Sequence, residues 1–241
     1  MEKKLIEFLH KDKIRNAYVL KGLEKSVKNF EYKVTYTPSI SYAAIWHEDQ
    51  MVTLFGERKW CQETFERYYG QYDYYDMEEN LLCELIENAP ESVRKEYEFE
   101  THYLMQLYPT EESPDFGDVK SQTHKDNKTI RKAKTVKNTT RYQYLERDGR
   151  IIGSVLVEEI SPGLFLISEV LVKKQFRKKG MAYAFVKRLL NNIFKDCKGG
   201  DCIFMLYVDK ENTPAVKLYS KLNFEVVGEY HNLILMDINE Y

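Results

Sequence analysis

Between Val172 and Ala182 the sequence reads Val-Lys-Lys-Gln-Phe-Arg-Lys-Lys-Gly-Met-Ala, and five of the seven residues from Lys173 to Lys179 are cations. An apolar run stops just before this segment and an amphipathic pattern opens just after it, which places the cations in a turn from strand to helix. The first N–H groups of a helix have no intrahelical acceptor, and the helix dipole adds about half a positive charge at that end. Such a turn suits an anion, a phosphate above all. Gly180 lets the backbone come close to that anion and take any φ the turn demands, while the small Ala182 leaves space beside it. The segment lacks both the G-x-G-x-x-G of dinucleotide-binding folds and the G-x-x-x-x-G-K-[ST] of P-loops. A nucleic-acid or nuclear-targeting run has a similar composition, but the position between strand and helix favours the phosphate reading.

A second group of residues follows from Asn212 to Phe224. Asn212 is a good helix N-cap and Pro214 is admissible in the first turn, so a helix starts here. Leu218 and Leu222 fall on one face, and Tyr219 looks along its edge, where a helical tyrosine is ordinarily a core-rim residue. Glu169 is the lone carboxylate in the run Leu164–Val172, a candidate base or a carboxylate paired with a neighbouring Lys or Tyr. The histidines, His10, His47, His102, His124 and His231, show no spacing of a triad or a metal site. Nor do Cys61, Cys83, Cys197 and Cys202, which read as buried free thiols and not as a zinc site or disulfide framework. The tyrosine cluster from Tyr68 to Tyr75 is either an aromatic platform for a sugar or base, or surface packing of a helix and turn.

The chain that must position these groups has 241 residues, 43% hydrophobic, with a formal net charge of −2. That is enough to bury a sizeable core in one large or two small domains, and too nearly neutral to draw nucleic acid or an anionic membrane globally. No apolar run approaches a membrane span, and acidic residues near the N-terminus do not suit a secretory signal, so a reducing cytoplasm fits. Helical spacing runs from Lys3 to Leu23 and recurs around Gln62–Tyr69 and Met77–Asn88, with β-like runs at Tyr32–Tyr36, Ser41–Trp46 and Met51–Phe55. From Gln71 to Asp118 acids dominate, and from Lys120 to Arg141 bases do, a split that either steers a cationic substrate or marks solvated faces. Strands are expected at Glu98–Tyr108, Arg141–Glu146 and Ile151–Ile160, the last two joined through Asp148-Gly149, a pair suited to a tight hairpin. Pro109–Asp118 reads as a loop, and the polar stretch up to Val136 takes no assignment. Leu164–Val172, apolar on both faces, reads as a central buried strand. After Gly180 come a helix to about Lys195, a strand at Cys202–Val208, the helix Thr213–Leu222, and a final pair of strands at Phe224–Val227 and Leu233–Asp237.

The basic turn resembles the Q/R-x-x-G-x-G/A signature of the GNAT superfamily of N-acetyltransferases, with Arg177, Gly180 and Ala182 in the signature positions. The segment from Asn212 resembles that family's N-x-x-A-x-x-L-Y-x-K-x-G-F element, matching at Asn212, Ala215, Leu218, Tyr219, Lys221 and Phe224. Asn223 replaces the glycine and shares its tolerance for the left-handed conformation. The resemblance implies that acetyl-CoA is the cosubstrate. Its pyrophosphate would lie on the backbone of Arg177, Lys178, Lys179, Gly180, Met181 and Ala182, with Asn212 also at the cofactor. Val170, Leu171 and Val172 would pair with the pantetheine arm as an added strand does. It further implies that Tyr219 protonates the departing CoA sulfur. An attacking amine has a pKa of about 10 and must arrive neutral, and Glu169, where the family often carries an acid, is the best candidate to take its proton. Backbone N–H groups of Val170–Val172 would stabilise the oxyanion.

The expected fold is α+β, a GNAT-type twisted mixed sheet flanked by helices over residues 96–241. A smaller α+β domain, residues 1–95, precedes it, possessing no motif of its own and open to the reading of a degenerate second copy. The expected activity is direct transfer of acetyl from acetyl-CoA to a primary amine of a small molecule or peptide, without metal, nucleic acid or membrane. A non-catalytic CoA-binding protein and a transferase of another acyl group, such as succinyl or aminoacyl, remain the alternatives. The sequence assigns no oligomeric state.

Overall fold

The computed structural model describes residues 2–12, 16, 19–20, 23, 30–36, 40–47, 51–68, 74–76, 79–109, 128–146, 148–197 and 202–235. Ile14 and Ala17 of the first expected helix, most of the tyrosine cluster, the expected loop beyond Pro109, His124 and the end of the last expected strand lie outside them. The chain forms two compact units, Met1–Tyr103 with Gly228–Tyr241, and Leu104–Val227.

In the first unit, α1 (Glu2–Leu9) buries Leu5 and Leu9, four residues apart on one face, with Val19, Leu20, Leu23 and Ile45. The buried Asn16 donates its side-chain amide to Leu9 O at 2.9 Å, satisfying a carbonyl at the end of that helix. Strands β1 (Phe30–Tyr36), β2 (Ile40–His47) and β3 (Met51–Gly56) form an antiparallel meander. β3 then pairs in parallel with β4 (Tyr74–Asp76). Helix α2 (Arg58–Tyr68) buries Cys61 and Phe65, again four apart, and α3 (Glu79–Asn88) buries Leu82 and Leu85. The short α4 (Glu91–Glu96) leads into β5 (Tyr97–Leu107), which belongs to this unit up to Tyr103. The last strand among the described residues, β11 (Glu225–Leu235), returns here to pair antiparallel with β4.

The second unit is built on β6 (Thr129–Val136), β7 (Thr139–Leu145), β8 (Ile151–Ser161) and β9 (Leu164–Val172), each antiparallel to the next. Their tight turns use left-handed residues: Lys137 with φ 52°, Gly149 with φ 83° and Gly163 with φ 79°. β9 connects through α5 (Met181–Asp196) to β10 (Ile203–Asp209), its parallel neighbour, so the sheet is mixed. Phe185, Val186, Leu189, Leu190, Ile193 and Phe194 recur at helical spacing and bury one face of α5, with the Phe185 ring stacked on Tyr144 at 4.9 Å. Arg188 donates to Lys128 O at 2.8 Å and fixes α5 to the start of β6. Helix α6 (Thr213–Lys221) follows β10 and packs on it. The fold is thus α+β, a mixed sheet flanked by helices with a smaller α+β region before it. No helix among the described residues is long and apolar enough to cross a membrane.

Four features depart from the sequence reading. The helical spacing from Lys3 to Leu23 does not make one helix: α1 ends at Leu9, and a 3₁₀ turn, His10–Asp12, follows. β4, α4 and β6 were not expected: β4 is three residues long, and β6 is exposed on both faces, so neither carries an apolar period. The expected final pair of strands is one strand, β11, which runs without a break through Gly228. β9 is central in strand order, yet only its first half is buried, at Leu164 and Ile167, and Leu171 is 55% exposed. The reason for that opening lies in its pairing.

Candidate active site

β8 and β9 pair at Gly153↔Val172 and Ser154↔Leu171, then resume at Leu156↔Ser168. Glu169 and Val170 therefore stand together opposite Val155, a β-bulge that bends the strand. Glu169 takes φ 48°, a left-handed conformation that costs a non-glycine residue about 1 kcal/mol. On the other side of β9, the pairing with β10 covers Ile203↔Leu164, Phe204↔Phe165 and Met205↔Leu166 and goes no further. Among the described residues, no strand covers the edge of β9 that faces β10 from Ile167 to Val172. Gly153 sits beneath the bend, where a Cβ would lie 2.3 Å from Leu171 O, so only glycine lets β8 approach there.

The open edge runs into the basic turn. Lys173 N–H donates to Ile152 O at 2.9 Å, and a single 3₁₀ turn, Lys174–Phe176, follows. Phe176 is half-buried with the Arg150 guanidinium 5.5 Å from its ring centroid, which anchors the turn. Arg177 folds back, its Nε donating to Val172 O at 2.8 Å, so this cation braces the end of β9. Lys178 (φ 59°) and Gly180 (φ 72°) are both left-handed, and alternating hands aim successive N–H groups into one concavity. Gly180 is the N-cap of α5, no side chain caps it, and nothing lies within 4 Å of where its Cβ would be. Lys178, Lys179 and Gly180 are exposed, and Met181 and Ala182 are half-buried in the first turn of α5.

Asn212 caps α6 as expected, its Oδ1 accepting from Ala215 N–H at 3.2 Å. At the other end Asn223 takes φ 65°, the left-handed conformation that glycine would supply. Tyr219 is 7% exposed and set edge-on to Phe224, ring centroids 5.8 Å apart, so it lies in the core and not along its rim. Burial pushes its phenol up to about 12, and the hydroxyl makes no hydrogen bond to described residues. Lys221, at the end of α6, places its ammonium 4.8 Å from the Tyr183 ring centroid at the start of α5, which draws the helix of Tyr219 to the basic turn.

Glu169 is neither buried nor paired with a Lys or Tyr. It is half-exposed, and Arg141 Nη2 donates to its Oε2 at 2.6 Å from two strands away. Val170, Leu171, Val172, Arg177 and the turn to Ala182 thus form one continuous stretch with Glu169 at its head. Tyr219 and Asn212 stand on a separate helix, and no hydrogen bond joins Tyr219 to Glu169. Two residues escaped the sequence reading. Gly153, a lone glycine within a strand, carried the signal of a close backbone approach. Arg141 carried none, because its partner is 28 residues away. Among the histidines, His231 is buried with Nδ1 3.1 Å from Thr101 Oγ1, on strands of the first unit. The described cysteines Cys61, Cys197 and Cys202 form no disulfide, Cys61 and Cys202 being buried and Cys197 half-buried.

No curated protein matches the chain in sequence. Among solved structures it is similar to a GCN5-related N-acetyltransferase from Kribbella flavida, at 13% identity and TM-score 0.59 over 93% of this chain and 95% of that one. It is similar as well to one from Sphaerobacter thermophilus, at 15% identity and TM-score 0.59 over 90% and 84%. A tandem GNAT protein from the clavulanic acid biosynthesis pathway matches at 8% identity and TM-score 0.55 over 90% and 86%. These likenesses establish the fold. The sequence model of the acetyltransferase (GNAT) family matches residues 100–224, a span that holds the bulged strand, the basic turn and the helix of Tyr219. Covering more than half of the 241 residues, that match makes the chain a member of the GNAT acetyltransferase family.

Proposed function

We propose that the chain transfers the acetyl group of acetyl-CoA directly to a primary amine of a small molecule or peptide, with residues 96–241 as the catalytic domain and residues 1–95 as an additional α+β domain. The observation that carries this reading is the open edge of β9, which passes through the Glu169 bulge and ends in the basic turn. Val170, Leu171 and Val172 would offer that edge to the extended arm of the cosubstrate. The N–H groups around Lys178, Lys179, Gly180, Met181 and Ala182 would hold its pyrophosphate, and the empty space before Gly180 is what that group needs. Arg177 keeps its Nη groups for the same anion while Nε braces Val172. Asn212 has its oxygen committed to the helix cap, so it would offer the cosubstrate its amide N–H.

Acetyl-CoA supplies an acyl group already activated as a thioester. In the reaction proposed, Glu169 takes the proton of the attacking amine on Oε1 while Arg141 holds Oε2 in place. The N–H groups of Val170–Val172 stabilise charge that develops on the carbonyl oxygen. Tyr219 gives its phenolic proton to the departing sulfur, and with a pKa pushed up to about 12 it holds that proton throughout the neutral range. A thiol-release assay of the full chain against a panel of amines, with acetyl-CoA and succinyl-CoA in parallel, tests this. Amine-dependent release with acetyl-CoA and an acetylated product is expected. A preference for succinyl-CoA would make it a transferase of another acyl group, and tight CoA binding without turnover on any amine would make it a binding protein.

A further inference from the structure

The end of α5 remote from the basic turn brings two thiols together. Cys197 is the first residue past the helix, its N–H donating to Ile193 O at 3.0 Å, and Cys202 stands immediately before β10. Cys197 Sγ donates to Cys202 Sγ at 3.5 Å. Cys202 is 4% exposed, whereas Cys197 is half-buried and lines a cavity of about 550 Å³ together with Lys132, Tyr142, Phe165, Ile193 and Asp196. This cavity opens at the start of β9 and the end of α5, the opposite ends of the two elements that form the basic turn. It gives a reagent from solvent access to Cys197, and the buried Cys202 lies next in line. Acyl transfer uses neither thiol.

We propose that Cys197 and Cys202 form a reversible oxidation site, in which Cys197 reacts with a low-molecular-weight disulfide and Cys202 then closes an intramolecular bond. A disulfide bond is about 2.0 Å long, so the sulfurs need to approach by about 1.5 Å, within reach of side-chain rotation. In the first step Cys197 loses its proton to solvent and its thiolate attacks one sulfur of RSSR. A bond forms between Cys197 and that sulfur, the S–S bond of RSSR breaks, and RS⁻ leaves. In the second step Cys202 loses its proton and attacks Cys197 Sγ, expelling the second RS⁻. Each RS⁻ takes up a proton, so the protein has lost two hydrogen atoms and the small disulfide has gained them. Burial pushes the Cys202 thiol well up, so closure draws on a small thiolate fraction and quickens as pH rises.

The test treats the folded full chain with oxidised glutathione, then counts thiols after denaturation and maps the linked peptides. Of the four cysteines, two are expected to disappear, with Cys197 joined to Cys202 and both restored by dithiothreitol. Closing a short loop restrains the unfolded chain, so the oxidised form should melt roughly 2–8 °C higher. In folded Cys202→Ser a single glutathione adduct should persist on Cys197, and in folded Cys197→Ser none should form at Cys202. Retention of all four thiols, a link through Cys61 or Cys83, an adduct at Cys202 in Cys197→Ser, or a lower melting point on oxidation would each overturn the proposal.

Discussion

Burial lifts the Tyr219 phenol to a pKa of about 12, so the unfolded chain releases that proton near pH 10 while the folded chain holds it. The folded state then binds more protons than the unfolded one, and stability falls as pH rises from 10 toward 12, by up to about 1.4 kcal/mol per pH unit from this group. Tyr219→Phe removes that slope, so across this window wild type should lose stability relative to the Phe variant in urea titrations; a constant difference between the two would mean that the phenol is not displaced. In kinetics the same substitution should cut kcat by about 10²–10⁴ with acetyl-CoA affinity little changed. Rates equal to wild type, with chemistry rate-limiting, would remove Tyr219 from the mechanism. Gly153 tests the bend from below. A methyl group there meets Leu171 O, and Gly153→Ala should cost about 1–3 kcal/mol and weaken CoA binding, because the displaced backbone is the edge proposed for the cosubstrate. Unchanged CoA affinity by calorimetry would show that the bend tolerates a side chain.

At the scale of elements, the site depends on how β9 hands over to α5. The bulge at Glu169 frees the edge, Arg177 ties off the strand, and two left-handed residues turn the chain into the helix. Gly180→Glu should abolish CoA binding in a folded protein, since a carboxylate would occupy the place proposed for the pyrophosphate. Any side chain at φ 72° carries strain, so Gly180→Asn, which tolerates that φ, separates strain from charge. It should bind CoA more weakly than wild type but far more tightly than the Glu variant. Equal affinities for the two variants would assign the effect to strain alone. This handover was largely legible in sequence, because a glycine after a cationic run and before a helical period is a local pattern. The opening beside β9 was not. An apolar run reads as buried, and only the pairing with β8 and β10 shows that Leu171 is bare.

At the scale of the whole molecule, the formal charge of −2 conceals an acidic stretch from Gln71 to Asp118 followed by a basic one from Lys120 to Arg141. If the acidic stretch steers the acceptor, polycationic amines should be turned over faster than neutral or acidic ones at low salt. The advantage should fade as exposed charges are screened within about 8 Å at physiological ionic strength. Faster turnover of neutral acceptors at low salt would end that idea. The division into units is equally a property of the whole. Gly228–Leu235 of β11 belongs with the N-terminal unit, where it pairs with β4, although it lies at the far end of the chain.

What the sequence determined by itself was local: most of the helices, whose apolar spacing fixes a face, the tight turn at Gly149, the N-cap at Asn212 and the basic turn before α5. Each rests on interactions within a few residues, so residue order suffices. The tertiary structure alone decided the rest. It set the bulge that gives Glu169 its φ of 48°, the ion pair from Arg141 across an intervening strand, the burial that raises Tyr219, and the meeting of Cys197 with Cys202. Strand register, proton affinity and the pairing of distant side chains depend on which surfaces meet and which water leaves, and neither is encoded at any one position of the chain.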